Sequence, residues 1–119
     1  MAAALLLALA TLIGAVAAHA LRGRLPADRF EVLQTAVYYQ FLHALGLFGL
    51  GLALERWSLR ALRVAAWLVL CGIALFCGSL YLLLAGAPRL IGAATPLGGA
   101  CLIAGWCVAA FALRPVRSP

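Results

Sequence analysis

Three side chains that can hydrogen-bond or exchange a proton recur at one spacing in an otherwise apolar segment. Thr35, Tyr39 and His43 follow each other at intervals of four residues, and Gln40 lies beside them. On an α-helix, residues four apart share a face. Hydroxyl, phenol and imidazole groups donate and accept hydrogen bonds, and imidazole is also a frequent proton carrier. The pattern is typical of a small-ligand or proton site, and equally of hydrogen bonds between helices.

The other candidate polar residues lie near the ends of three further apolar segments. At a rise of about 1.5 Å per residue, all of them fall in the bilayer half that faces the first and third predicted loops. The opposite half holds mainly Gly, Ala and Leu, with Trp57 as an interfacial anchor. This distribution predicts a one-sided polar pocket formed by His19, Thr35, Tyr39, Gln40, His43, Ser79, Tyr81 and Thr95.

Besides an arrangement in which several of these side chains face water or headgroups, as Tyr81 would in an aromatic belt, two interpretations of this pocket stay open at the level of sequence. Buried polar groups in lipid need partners, so the eight side chains could satisfy one another and only hold the helices together. Alternatively, they line a cavity for a small ligand, an ion or a lipid headgroup, or a path for protons through His43.

Other kinds of chemistry have no support in the sequence. The four cysteines, Cys71, Cys77, Cys101 and Cys107, lack the spacing of a metal clip. Paired carboxylates, a glycine-rich phosphate loop, a His-Glu zinc motif and a nucleophile triad are not found. We therefore predict no catalytic residues, no metal and no cofactor, and a protein that is not an enzyme.

Composition places the polar residues in a membrane protein. Apolar residues make up 67% of the 119 residues and charged residues only 10%, against about 25% charged in soluble domains. Four membrane-crossing helices would need about 80 apolar residues. The net charge of +6 comes from scattered Arg beside apolar segments, as in flanking charges that contact lipid phosphates. This composition excludes a soluble enzyme, a disordered tail and a nucleic-acid-binding domain.

Four spans are predicted in a single all-α domain, arranged as an up-down bundle. They cover about residues 2–21, 32–54, 61–85 and 96–113, followed by a tail at 114–119. The small-x-small pattern around His19 also fits a signal-peptide cleavage site, but no basic residue precedes the first apolar run, which favours a retained span. Residues 90–94 are predicted to form a partly embedded loop or one helical turn. Thr95 and Pro96 are predicted to be the N-cap and the first residue of the last helix.

An even number of spans puts both termini on one side of the membrane. That side carries five Arg residues (Arg56, Arg60, Arg63, Arg114, Arg117) and the other carries four (Arg22, Arg24, Arg29, Arg89). The small excess favours cytoplasmic termini.

Small residues recur at spacings that let helices approach closely in lipid. The predicted helix-packing residues are Gly14, Ala18, Gly46, Gly49, Gly78, Gly98, Gly99 and Gly105. They fit packing within one chain, and some of them also fit the interface of a homo-oligomer.

Four blocks of sequence resemble one known family: GAVAAHALRGRL, TAVYYQFLHALGL, GIALFCGSLYLLL and LIGAATPLGGACLIAGW. They occur in the order and spacing of the YgdD-like family of small bacterial inner-membrane proteins, a domain of unknown function. The resemblance implies four spans and no established activity. Its motif positions fall on His19, Thr35, Tyr39, Gln40, His43, Gly78, Ser79, Tyr81, Thr95, Pro96, Gly98 and Gly99, while Cys77 replaces a more frequent Ser.

From these observations the chain is predicted to be a non-enzymatic accessory or interaction protein of the bacterial inner membrane. Its partners would be the lipid bilayer and a second copy or a larger membrane complex, with no nucleic acid. An oligomeric transporter or channel for protons or a small solute, with His43 in its path, is the alternative. One chain of four short helices is too thin to enclose a water-filled pore, so transport would need an oligomer.

Overall fold

The computed structural model describes residues 1–114, and these residues form helices, turns and no strand. Helix α1 covers Ala2–Val16 and continues as one π-helical turn over Ala17–Leu21. Helix α2 covers Ala27–Arg56, and α3 covers Arg60–Leu84. A 3-10 turn at Arg89–Ala93 leads into α4, which covers Ala94–Ala112. Four segments are long and apolar enough to span a membrane. The predicted all-α membrane fold is confirmed. Of the predicted tail, residues 115–119 lie outside the described part.

Helix α2 is longer than the bilayer needs. Its 30 residues give a length of about 45 Å, against about 30 Å for the hydrocarbon core. Pro26 precedes the first helical residue, and Asp28 lies in the first turn, where the positive end of the helix dipole favours a carboxylate. Helix α2 is therefore long enough to carry the charged residues of its first turns beyond the hydrocarbon core.

Two glycines end helices at the same end of the bundle. Gly23 after α1 and Gly86 after α3 have φ of +78° and +93°, a backbone conformation that residues with a Cβ rarely adopt. The Arg29 guanidinium donates a hydrogen bond to the carbonyl of Leu84, which is among the unpaired carbonyls that end a helix. The first and third loops thus lie together, at what we call the loop end.

Thr95 is not the N-cap that the sequence predicts. Helix α4 begins at Ala94, with Ala93 as its N-cap residue and no side-chain cap hydrogen bond. The preceding 3-10 turn leads directly into the helix, because Ala93 and Ala94 both have helical backbone angles. The Thr95 hydroxyl is consequently available for a bond to another helix.

Helices α3 and α4 form the closest pair in the bundle. A Cβ added at Gly98 would meet the backbone of Phe76, and one added at Gly105 would meet Val69, whereas Gly72 of α3 faces Leu102. The pairs follow one antiparallel register: Gly72 and Gly105 receive a larger side chain of the other helix, and Gly98 lies directly against the backbone of α3. Close backbone approach at small residues is the usual basis of helix association in lipid.

The remaining predicted packing residues divide into two groups. Gly14 faces Val37 and Gly46 faces Trp106, so both are in tight contacts between helices. A Cβ at Gly49 or Gly78 would meet nothing within 4 Å, and one at Gly99 would make only ordinary contact with the Phe76 ring. Ala18 is exposed. Within the described chain, none of these four positions therefore marks a close approach of two helix backbones: Gly49 and Gly78 have open space at the Cβ position, Gly99 has only ordinary contact, and Ala18 lines a cavity.

Helix α2 packs against α1 on one side and α3 on the other, while α1 has its main contacts with α2. The core between them consists mainly of Ala and Leu side chains, among them Ala36, Ala44, Leu62 and Ala65, all with no exposed surface. Helices α2 and α4 are not a closely packed pair. This leaves an open groove between them, and a second groove runs between α1 and α2.

Candidate functional site

The groove between α2 and α4, which we call the α2–α4 cleft, contains two cavities. The outer cavity, at the loop end, has a volume of about 310 Å³ and is lined by Asp28, Glu31, Val32, Thr35, Phe76, Leu80 and Thr95. The inner cavity has a volume of about 520 Å³ and is lined by Leu42, His43, Leu45, Gly46 and Trp106. Small-molecule sites have volumes of about 300–1,000 Å³, so either cavity has the size of a ligand site.

Carboxylates surround the mouth of the outer cavity. The whole chain has three acidic residues against nine basic ones, and two of the three, Asp28 and Glu31, line this one cavity. Both are exposed at the loop end of α2. The mouth of the cleft is therefore locally acidic in a strongly basic protein.

Tyr39 separates the outer cavity from the inner one. Its ring stacks on Phe76 of α3, with ring centroids 4.7 Å apart, and on His43 one turn further along α2, at 5.5 Å. Stacked rings at such distances attract each other beyond their buried area. The three rings thus form a stack that extends from Phe76 of the outer cavity to His43 of the inner one.

His43 is half-buried at the top of the inner cavity. Its Nδ1 lies 2.7 Å from the carbonyl oxygen of Tyr39, so the ring bonds to its own helix. The indole of Trp106 lies 6.2 Å from the imidazole, between ring centroids, and contacts Gly46 of α2. This indole closes the cleft on the side away from the loop end.

Ser79 and Thr95 form a hydrogen-bonded pair between α3 and α4, with their hydroxyl oxygens 2.6 Å apart. Ser79 also donates to the carbonyl of Phe76 at 2.9 Å. Because a hydroxyl carries one hydrogen, Thr95 is the donor between the two. Ser79 is buried, whereas Thr95 lines the outer cavity.

Gln40 and Tyr81 form a separate network on the opposite side of α2. The Tyr81 hydroxyl donates to Oε1 of Gln40 at 2.8 Å, and Nε2 of Gln40 donates to the carbonyl of Leu6 at 2.9 Å. Gln40 is only 2% exposed. One amide thus joins α1, α2 and α3, which is the structural role that buried polar groups have in many membrane bundles.

The eight residues predicted as one pocket therefore occupy three places. The α2–α4 cleft is bordered by Thr35, Tyr39, His43 and Thr95. Buried Ser79 holds Thr95 in place through a hydrogen bond. Gln40 and Tyr81 lie in the core, because consecutive helix residues differ by 100° in direction, and Gln40 therefore points away from the cleft that Tyr39 borders. His19 is exposed in the π-helical turn of α1 and joins neither group.

Four side chains that line the cleft were not in the predicted pocket: Asp28, Glu31, Phe76 and Trp106. Glu31 continues the row of Thr35, Tyr39 and His43 by one more interval of four, so the periodicity contained a signal for it. Phe76 and Trp106 reach the cleft from other helices, and no local pattern indicates which aromatic residue faces which helix. In residues 1–114, no group of three His, Cys, Asp or Glu side chains could hold a metal ion, and all four cysteines are free thiols.

Comparison with known sequences assigns the family. Residues 13–99 match the family described as "Protein of unknown function (DUF423)". The chain belongs to this family. The resemblance stated from the sequence blocks is confirmed as well, since the curated relatives of the chain include a protein named YgdD.

Curated DUF423 relatives are similar over most of their length. The chain is 41% identical over 99 residues to the UPF0382 membrane protein YwdK of Bacillus subtilis, covering 82% of this chain and 80% of the relative. It is 42% identical to a UPF0382 membrane protein of Staphylococcus haemolyticus, covering 78% and 75%. It is 35% identical to the UPF0382 inner membrane protein YgdD of Escherichia coli, covering 79% and 72%. No solved structure matches the chain.

These matches, together with the four apolar helices, show that the chain is a multi-pass membrane protein. The names of the relatives state a membrane location and no reaction. In the α2–α4 cleft, several polar side chains line two cavities.

Proposed function

We propose that this DUF423 protein is a non-enzymatic accessory protein of the bacterial inner membrane that binds a small cationic amphiphile in the α2–α4 cleft. The inner membrane is proposed because the similar protein YgdD carries that location in its name. The observation that supports the ligand class is the presence of Asp28, Glu31 and the aromatic ring of Phe76 in the lining of the same cavity.

Charge and aromatic surface favour the same type of ligand. Carboxylates attract a cation at the mouth, and the ring of Phe76, which lines the same cavity, offers a cation–π contact of the kind that recognises ammonium groups. Leucine side chains around the inner cavity and at the open side suit an alkyl tail. A cationic headgroup in the outer cavity, with its tail along the groove towards lipid, satisfies all three features.

The hydrogen bonds of the cleft favour binding over catalysis. A nucleophile and its base must lie within hydrogen-bond distance of each other. The hydroxyls of Ser79 and Thr95 bond to each other, whereas His43 bonds to a backbone carbonyl one turn away on its own helix. The polar groups are thus arranged as walls of a site and not as a reacting pair.

Cysteine accessibility in lipid nanodiscs tests the cleft. In a variant with the four native cysteines replaced by Ala, Thr35→Cys places a thiol in the outer cavity. Leu82→Cys is the control, since Leu82 is 51% exposed outside the lining of the cleft, and it lies on α3 somewhat nearer the loop end than Thr35, so depth alone would favour its labelling. A cationic, membrane-impermeant methanethiosulfonate should modify Thr35→Cys at least about tenfold faster, because thiolates form and react in water and not in hydrocarbon.

The charge of the site is tested with the same thiol. The cationic reagent should exceed an anionic methanethiosulfonate in rate, and Asp28→Asn with Glu31→Gln should remove that preference. Decyltrimethylammonium should slow the labelling of Thr35→Cys, while decyl sulfate should not. Equal rates at residues 35 and 82, or equal protection by both amphiphiles, would contradict the proposal.

Transport through His43 is the competing function, and proton flux separates it from binding. If His43 carries protons, protein in liposomes should show pH-driven flux that His43→Gln abolishes while the helical content is retained. Binding without flux is the expected result, because the Trp106 indole against Gly46 closes the cleft below His43.

A further inference from the structure

A second cavity lies between α1 and α2, on the other side of α2 from the cleft. Its volume is about 330 Å³, and its lining is mostly apolar. Small residues of α1, Ala17 and Ala18, face the larger Phe30 and Tyr38 of α2 across it. The helices touch at Gly14, where a Cβ would lie 3.3 Å from Val37, and the space opens from there towards the loop end.

Arg22 is the one charged residue among the described residues that line this cavity, and Gln34 adds a neutral hydrogen-bonding group. Arg22 directly follows the π-helical turn that ends α1, and the turn at Gly23 then redirects the chain. A guanidinium donates several hydrogen bonds in a planar fork that fits phosphate oxygens. The cavity thus combines an apolar groove inside the membrane with a phosphate-binding group at its surface.

The charges of α2 are separated between its two grooves. Asp28 and Glu31 line the α2–α4 cleft, whereas no carboxylate belongs to the described lining of the α1–α2 groove. Arg29 is engaged with the carbonyl of Leu84 at the end of α3. The α1–α2 groove therefore presents an uncompensated positive charge to the headgroup region, on the side of the helix opposite to the acidic mouth.

We propose that the α1–α2 groove is a binding site for an anionic phospholipid, with the phosphate on Arg22 and an acyl chain between Ala18 and Tyr38. A guanidinium at the membrane surface attracts the phosphate of an anionic lipid, and the groove beside it offers an apolar surface to the acyl chain. The exposed aromatic surface of Tyr38, 64% exposed, would be covered by the lipid chain. This site is independent of the amphiphile site in the cleft.

Native mass spectrometry of the purified protein can measure this binding with two defined lipids. Palmitoyl-oleoyl phosphatidylglycerol should bind more tightly than the phosphatidylcholine with the same chains. Arg22→Gln should weaken phosphatidylglycerol binding about fivefold, the effect of one Arg near the membrane surface, and leave phosphatidylcholine unchanged. Arg24→Gln is the control, because Arg24 lies in the same loop but does not line the groove.

Filling the groove provides a second test that does not depend on charge. Ala18 is exposed and lines the cavity, so Ala18→Phe should reduce the binding of both lipids. Ala15→Phe, on an exposed position of α1 outside the lining, should not. Equal affinity for the two lipids, an Arg24→Gln effect as large as that of Arg22→Gln, or unchanged binding in Ala18→Phe would each overturn the proposal.

Discussion

A single methyl group at Gly98 should separate the closest helix pair of the bundle. The Cβ of Gly98→Ala would lie 2.3 Å from the backbone nitrogen of Phe76 and 2.8 Å from its Cα. Ordinary contacts of a Cβ begin at 3.4 Å, so α3 and α4 must move apart by about 1 Å at this point. Backbone atoms in the middle of a helix cannot rotate away as a side chain can.

The cost of this movement can be estimated from overpacking in protein cores. Inserted methyl groups cost about 1–3 kcal/mol, and a gap of about 0.5–1 Å removes a quarter to a half of each neighbouring dispersion contact. Because the obstacle is backbone, we expect the upper part of that range, about 2–3 kcal/mol. The alanine also has a higher helix propensity than glycine, by about 1 kcal/mol, which opposes the loss.

Gly99→Ala is the matched control for this effect. It lies next to Gly98 on the same helix, and its Cβ would only reach ordinary contact, at 3.9 Å from the Phe76 ring. Helix propensity changes equally in both variants, so the difference between their free energies of unfolding isolates the clash. Gly105→Ala should fall between them, because its nearest obstacle is a Val69 side-chain methyl at 2.8 Å.

Equilibrium unfolding in mixed micelles of dodecylmaltoside and dodecyl sulfate, followed by circular dichroism, measures these differences. The expected order of stability is Gly99→Ala, then Gly105→Ala, then Gly98→Ala. If Gly98→Ala were as stable as Gly99→Ala within about 0.5 kcal/mol, a shift typical of neutral surface changes, the close approach of α3 and α4 would be refuted.

Two further substitutions test the core network and the closed end of the cleft. Tyr81→Phe removes the hydroxyl that donates to Gln40 and leaves a buried amide oxygen without that bond, which should lower the free energy of unfolding by about 1–2 kcal/mol in the same micelle assay; a wild-type value would contradict the role of the network. Gly46→Ala would place a Cβ 2.4 Å from the Trp106 indole, so the ring must turn and its fluorescence maximum should shift in a variant with Trp106 as the single tryptophan. Gly49→Ala, with open space at its Cβ, should leave the emission unchanged, and identical spectra for both variants would argue against the contact.

Much of the fold could be predicted because hydropathy acts locally. Apolar runs of membrane length indicate four helices, and Pro26 and Gly86 mark where two of them begin and end. The row of Thr35, Tyr39 and His43 was predicted to share a face of α2, and in the structure all three border the same cleft. Periodicity is a property of one helix, so it can be read without knowledge of the others.

The boundaries of the site could not be predicted in this way. Tyr39 and Gln40 are neighbours in sequence and depth, yet one borders the cleft and the other lies in the core between three helices. Gly46 and Gly49 belong to the same stripe of small residues, but only Gly46 has a neighbour within 4 Å of its Cβ position. The two members of each pair are indistinguishable in the sequence, because their spacing does not show towards which neighbouring helix each face of α2 is turned.

The amino-acid sequence by itself determined that the chain crosses a membrane with four helices, and at which end its polar side chains gather. These properties follow from the cost of placing polar and charged groups in hydrocarbon, which acts on each segment separately. Only the tertiary structure decided how each helix is rotated about its axis, and with it which residues share a cavity. In lipid no hydrophobic force selects that rotation. It is set by contacts such as Gly98 against the backbone of Phe76 and Thr95 against Ser79, and these contacts exist only once the helices have met.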